Sequence, residues 1–356
     1  MTLALVAIAY GALAFAALQP ALRGSFVSDD IGYVAGNPWI HELSLANLRA
    51  ILHPTGPAAA HTANYAPVHL LLHAGAWSLF GSDTFGHHAL NVVLHAVASA
   101  LLVALFARWG VPFAAAALAG AVFLLHPANV EAVAWIFQLK SIVALALATG
   151  ALLAEPRRPI AATALFALAL FTKIQAAFAI PVLAVAIFCA APAGARPPRV
   201  RLAALAAWAA ALALAWAPEM LAFERLGHAD AAAPASAGER LRAIASYVGR
   251  YLEMAFTARG VSAFHQPDPP ASWLDPYCVL GVAGTLAMAA RALFTLAQRR
   301  AEAAFWAWVA GGFLPVSQVL PFLYPIADRY LYFLLPGLLG AGLLAARAPL
   351  ARLAAA

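Results

Sequence analysis

The chain has 356 residues, 64% of them hydrophobic and only 10% charged, with a formal net charge of +6. A soluble fold of this length cannot give that much apolar surface the polar cover it needs, which excludes an ordinary water-soluble domain. The arginines behind the positive balance sit in short connectors between apolar runs, so the charge reads as membrane topology and no nucleic-acid partner is expected.

Apolar runs of about 17–25 residues, the length an α-helix needs to cross a hydrocarbon core, recur along most of the chain. They are rich in Ala, Leu and Val without strand-like alternation, which favours spanning helices over a barrel. The expected spans are 2–22, 85–107, 111–126, 130–153, 159–172, 174–191, 201–217, 275–296, 303–322 and 329–346. The fold class is therefore an all-α polytopic membrane protein, a single integral domain over 1–356 with about ten spans. Its first run lacks a basic leader, and Gln19-Pro20 is a poor cleavage site, so an uncleaved anchor is expected. Alternation of the connectors gathers Arg108, Arg157, Arg158, Arg196, Arg199, Arg201, Arg299, Arg300, Arg347 and Arg352 on one side. The bias of basic residues toward cytoplasmic loops makes that side the cytoplasm, with both termini there. The opposite side, the periplasm if the membrane is a bacterial inner membrane, receives two long segments, 23–84 and 218–273. Cys189 and Cys278 fall in or beside apolar runs and read as inert thiols.

Polar residues concentrate on this outer side. Asp29 and Asp30 come first, where one carboxylate can take a proton from a hydroxyl and the second can tune it or hold a divalent cation such as Mg or Mn. The plain alternative is a solvated turn or a helix cap. Segment 44–80 is amphipathic and reads as helices lying in the interface, with His69 and His73 as i,i+4 neighbours that form either a metal pair or a wet interfacial pair. His87 and His88 open the second span, where His88, Asn91 and His95 form a polar stripe that either joins helices or lines a site. His126-Pro127 breaks the chain, and Glu131 then lies near the positive end of the following helix. Lys140, nine residues on, lies about 13 Å deeper by helix rise and needs a carboxylate or water. Lys173 and Arg329 are the candidate anion partners, although Asp328 offers Arg329 a local ion pair and Tyr330 and Tyr332 can form an interfacial belt with it. No glycine-rich nucleotide loop and no serine-nucleophile elbow appears, so an enzyme built this way is expected to take its donor from the membrane.

Several segments resemble, in order, the membrane region of the transmembrane and tetratricopeptide-repeat O-mannosyltransferases and their bacterial relatives, of the GT-C class. They are Asp29-Asp30-Ile-Gly-Tyr-Val-Ala-Gly-Asn37, Phe80-Gly81 followed by Gly86-His87-His88-Ala-Leu-Asn91-Val-Val-Leu-His95, and His126-Pro-Ala-Asn-Val-Glu131-Ala-Val-Ala-Trp135 with Lys140. Lys173-Ile-Gln175 ahead of Pro181, Tyr247 to Tyr251, and Ala327-Asp328-Arg329-Tyr330-Leu-Tyr332 continue the series. The sequence departs from the pattern at Ala66-Pro67 and at Phe137-Gln138-Leu139-Lys140, and no helical-repeat pattern follows the last span. The resemblance implies a GT-C-like bundle that moves a sugar from a polyprenyl-phosphate carrier to an acceptor glycan, lipid or protein hydroxyl. Asp29 or Asp30 would be the base, Lys173 and Arg329 the phosphate contacts, and His87, His88, Asn91, His126, Glu131, Lys140, Gln175, Asp328 and Tyr330 the lining. The alternatives are a polyprenyl-lipid binding or transport protein, and an inactive structural partner in a glycosylation complex.

Overall fold

The computed structural model describes residues 2–224, 236–319 and 324–353, with side chains omitted at 223, 224 and 348–353. Each apolar run folds as helix, because in lipid the backbone must satisfy its own hydrogen bonds. In chain order the helices are α1 (Leu3–Ala17), α2 (Leu45–Leu52), α3 (Pro57–Thr62), α4 (Pro67–Phe80) and α5 (Thr84–Arg108). Next come α6 (Phe113–Leu125), α7 (Val130–Ala134), α8 (Leu139–Ala154), α9 (Pro159–Thr172) and α10 (Ala179–Cys189). The series ends with α11 (Pro198–Glu224), α12 (Ala237–Thr257), α13 (Pro276–Ala297), α14 (Glu302–Phe313) and α15 (Asp328–Leu353). No strand occurs among the described residues.

Five helices are long and apolar enough to cross a membrane, and a sixth joins them if α6 and the bent segment Pro127–Ala134 count as one span. Helix α1, helix α9 and the stretch Ile174–Cys189 are apolar but shorter. Central α5 packs against α1, α6 and α8, and the contacts continue through α9, α11, α10 and α14 to α15, which returns to α6 and α7. At the crossing of α12 and α13, a Cβ on Gly281 would stand 1.8 Å from the Ala245 carbonyl oxygen, and one on Gly249 2.1 Å from that of Tyr277. Only glycine permits backbones to approach so closely.

The structure alters three sequence boundaries. The expected fourth span is not continuous: α7 stops at Ala134, Trp135 is extended (ψ 113°), and a 3-10 turn at Ile136–Gln138 leads into α8. Helix α11 runs on to Glu224, into the segment expected to be an outer loop, and α12 fills much of the remainder. Residues 225–235 of that loop, the last residues of the ninth span and the Arg352 side chain lie outside the description.

Two ends of the bundle are distinguished by their contacts. At one, Arg201 meets Glu155 and Arg347 donates to the Gly110 carbonyl. At the other, the first long loop folds its own small core of Val34, Ile40, Ile51, Leu70 and Ala74 onto Ile136 and Phe137 of the break. Helix α4 also packs on α5 and α9, so it is a built-in element of this end.

Candidate functional site

The break in the helix frees backbone groups that a low-dielectric interior leaves costly. Two residues picked out by sequence supply their partners. Asn91 Nδ2 donates to the carbonyls of Val133 and Trp135, both at 3.2 Å. Asp30 Oδ1 accepts the Phe137 N–H at 2.7 Å, and its Oδ2 accepts the Val27 N–H at 3.2 Å. Asp30 is fully buried. Burial pushes its carboxyl up to about 6, against the pull of the Phe137 and Val27 N–H groups and with a smaller push from the Asp29 charge. Asp30 is thus a structural acceptor that fixes the first loop to the break.

Asp29 has the opposite environment. Ser28 before it adopts a left-handed φ of 52°, and a π-helical turn, Ile31–Ala35, follows the pair. Non-glycine residues adopt that φ at a cost of about 1 kcal/mol or more, and such outliers gather at functional sites. The sharp turn buries one carboxylate and leaves the other half-exposed. Asp29 makes no hydrogen bond or ion pair among the described residues, and it lies within electrostatic reach of Lys140 and Tyr33.

Lys140 stands in the first turn of α8, its ammonium 4.1 Å from the Phe137 ring centroid. It too is half-buried and takes no hydrogen bond or ion pair among the described residues, with Glu219, Asp29 and Arg329 in electrostatic reach. The two candidate phosphate contacts, Lys173 and Arg329, already have protein partners. Lys173 donates to Ser141 Oγ at 2.7 Å and to Gln138 Oε1 at 3.4 Å. Arg329 is bound twice by Glu131: its backbone N–H donates at 2.7 Å and its guanidinium forms an ion pair. The guanidinium also lies 5.4 Å from the Trp135 ring and 5.1 Å from the rings of Tyr324 and Tyr330. Asp328 does not pair with Arg329, because it accepts from His265 Nε2 at 2.6 Å and from the Ser262 N–H at 2.9 Å.

The remaining polar residues divide between structural and unassigned positions. His126 caps the turn after α6 by accepting from Ala128 N at 3.3 Å, and its other ring nitrogen meets the Ala255 carbonyl. His87 bonds the Gly81 carbonyl at 2.9 Å, and the buried ring of His88 packs beside Gly24. His95 lies between the Tyr332 hydroxyl and the Leu124 carbonyl, so the stripe along α5 joins helices at Asn91 and His95. Gln175 is half-buried, and its Oε1 has no partner among the described residues. His69 and His73 are each 1% exposed, which overturns the wet interfacial reading. Burial lowers both imidazoles, His73 to about 3.

Among the described residues, no three His, Cys, Asp or Glu side chains converge on a point where a metal could sit. Both Asp30 oxygens accept backbone N–H groups, so the Asp pair does not present two free carboxylates.

One member of the cluster escaped sequence reading. Glu219, on α11, reaches the first loop and accepts from Asn64 Nδ2 and Tyr65 N, both at 2.7 Å. Its signal was a lone carboxylate after Pro218 in an apolar run. Set against family models, characterised proteins and solved structures, the chain matches none of them.

Proposed function

We propose that the chain is a GT-C-type membrane glycosyltransferase with about ten spans, moving a sugar from a polyprenyl-phosphate carrier to an acceptor hydroxyl at the periplasmic face of a bacterial inner membrane. One observation carries the reading: Asp29, a half-buried carboxylate, lies within electrostatic reach of Lys140, a half-buried ammonium beside a broken helix, and neither makes a hydrogen bond or ion pair among the described residues. Unpaired ionisable groups of this kind, at the end of a membrane bundle, favour a functional site over a packing role.

In this reading Asp29 is the base. It takes the acceptor hydroxyl proton as the acceptor oxygen bonds to the anomeric carbon, while the bond from that carbon to the carrier phosphate oxygen breaks. Polyprenyl phosphate leaves with the electron pair, and Asp29 later gives its proton to water. Lys140, rather than Lys173 or Arg329, neutralises the leaving phosphate, because its ammonium makes no hydrogen bond or ion pair among the described residues. Lys173 is held by Ser141 and Gln138, and Arg329 by Glu131. Asp30 positions the loop that carries Asp29.

The test is release of labelled polyprenyl phosphate from a panel of polyprenyl-phosphate sugars by protein reconstituted in vesicles. Wild type is expected to release it, and Lys140→Met to do so at least about tenfold more slowly, one charge-assisted contact being worth that much. No release from any donor by wild type sinks the proposal.

A second reading is favoured by how many of the polar residues are structurally employed, Asp30, Asn91 and the Glu131–Arg329 pair among them. It makes the chain a polyprenyl-lipid binding or transport protein, or an inactive partner in a glycosylation complex. Donor lipid would then bind without being cleaved, and Asp29→Asn would be silent.

A further inference from the structure

At the end of the bundle opposite Asp29, Arg108 is the last residue of α5. An arginine there ordinarily bonds the final carbonyls or extends its head to water. Arg108 does neither with two of its nitrogens: Nε and Nη2 are buried and meet no acceptor among the described residues. Arg157, Arg201 and Glu155 lie within electrostatic reach. Glu155 cannot neutralise Arg108, because Arg201 already holds it through contacts of 3.1, 2.9 and 2.7 Å. Those two side chains are 1% and 2% exposed, so the pair is a fixed part of the wall.

The neighbouring loop packs against the α8–α9 connection. Arg196 N–H donates to the Pro156 carbonyl at 2.7 Å, and Arg157 Nη2 to the Ala193 carbonyl at 3.2 Å. Gly194, at φ 74°, lets 190–197 turn back over the α8–α9 connection. Arg108 therefore faces two further arginines and one committed carboxylate, and two of its buried donors find no acceptor among the described residues. Topological bias toward basic loops explains arginines in water at this end, but not donors buried without acceptors.

We propose that Arg108 and Arg157, backed by the Arg201–Glu155 pair, bind a phosphate group. Guanidinium donors match phosphate oxygens in geometry and charge. Arg108 ends a candidate span, which places it at the depth of lipid headgroups. Basic recesses between helices at that depth suit anionic lipids. The expected occupant is an anionic phospholipid headgroup, and free phosphate shares the chemistry.

The experiment uses full-length protein in neutral detergent, followed by thermal unfolding with added phosphatidylglycerol, phosphatidylcholine or inorganic phosphate. Phosphatidylglycerol is expected to raise the midpoint saturably and phosphatidylcholine not to. Arg108→Gln and Arg157→Gln should each weaken the apparent affinity about tenfold, as expected for one lost charged contact. Arg157 is exposed, so its variant keeps the test open if Arg108→Gln fails to fold. Stabilisation by inorganic phosphate alone, lost in the same variants, supports the phosphate site and assigns it to a soluble ligand. Absence of stabilisation by both phosphatidylglycerol and phosphate, or equal stabilisation in wild type and the variants, overturns it.

Discussion

Replacing Asp30 separates its structural role from its charge. Alanine removes the acceptor of two backbone donors, Phe137 N–H at 2.7 Å and Val27 N–H at 3.2 Å, at a fully buried position. The buried Phe137 donor left without an acceptor costs about 1–3 kcal/mol, while Val27 is exposed enough to give its N–H to water, so Asp30→Ala should destabilise by about 1–3 kcal/mol. Asparagine keeps an oxygen for Phe137 and loses only the weaker contact. It also removes the burden of a buried ionised carboxylate. With the folded carboxyl pushed up to about 6 from 3.8, the folded chain holds the proton more tightly than the unfolded chain. The contribution of this group to stability is therefore fully present below about pH 4 and falls as pH rises to about 6, by roughly 3 kcal/mol. Asp30→Asn should flatten that decline and match or exceed wild type at pH 8. The assay is reversible unfolding in mixed micelles of both variants and wild type at pH 4, 6 and 8. Equal loss in Ala and Asn variants, or parallel pH profiles for wild type and Asp30→Asn, would show that Asp30 does not support the break.

Three further outcomes follow from the same structure. Ser28→Gly, which relieves the left-handed φ of 52°, should stabilise by up to about 1 kcal/mol in the same unfolding assay and leave lipid binding unchanged. Glu131→Gln strands the Arg329 guanidinium, whose side chain is 13% exposed, and should cost about 3 kcal/mol, whereas Glu131→Gln with Arg329→Gln costs less; a double-mutant cycle with no coupling contradicts the pair. Gly281→Ala sets a Cβ 1.8 Å from the Ala245 carbonyl oxygen, and should destabilise by more than about 1 kcal/mol or separate α12 from α13, read by unfolding and by cysteine cross-linking across the crossing.

The helical class and most helix positions were legible, because run length and composition decide what can cross a bilayer. The break at Trp135 was not. No proline or glycine marks Ala134-Trp135-Ile136, and the residues that make it tolerable, Asp30 and Asn91, lie 107 and 44 positions away from the groups they satisfy. The same distance problem governed the cations. Sequence marked Lys173 and Arg329 as candidate phosphate contacts, yet within the chain they meet Ser141, 32 positions back, and Glu131, 198 positions back. Lys140, which by its depth needed a carboxylate or water, makes no hydrogen bond or ion pair among the described residues and lies on the Phe137 ring. His69 and His73 showed their helical spacing in sequence, but their burial depends on α4 packing against α5 and α9, which no local pattern encodes.

The most direct measurement is sugar transfer from a labelled polyprenyl-phosphate donor by wild type, Asp29→Asn and Asp30→Asn in reconstituted vesicles. Asp29 acting as the base requires a fall of at least about a hundredfold in Asp29→Asn, with donor binding kept and Asp30→Asn retaining most of its rate. Transfer by Asp29→Asn at the wild-type rate would remove Asp29 from the chemistry.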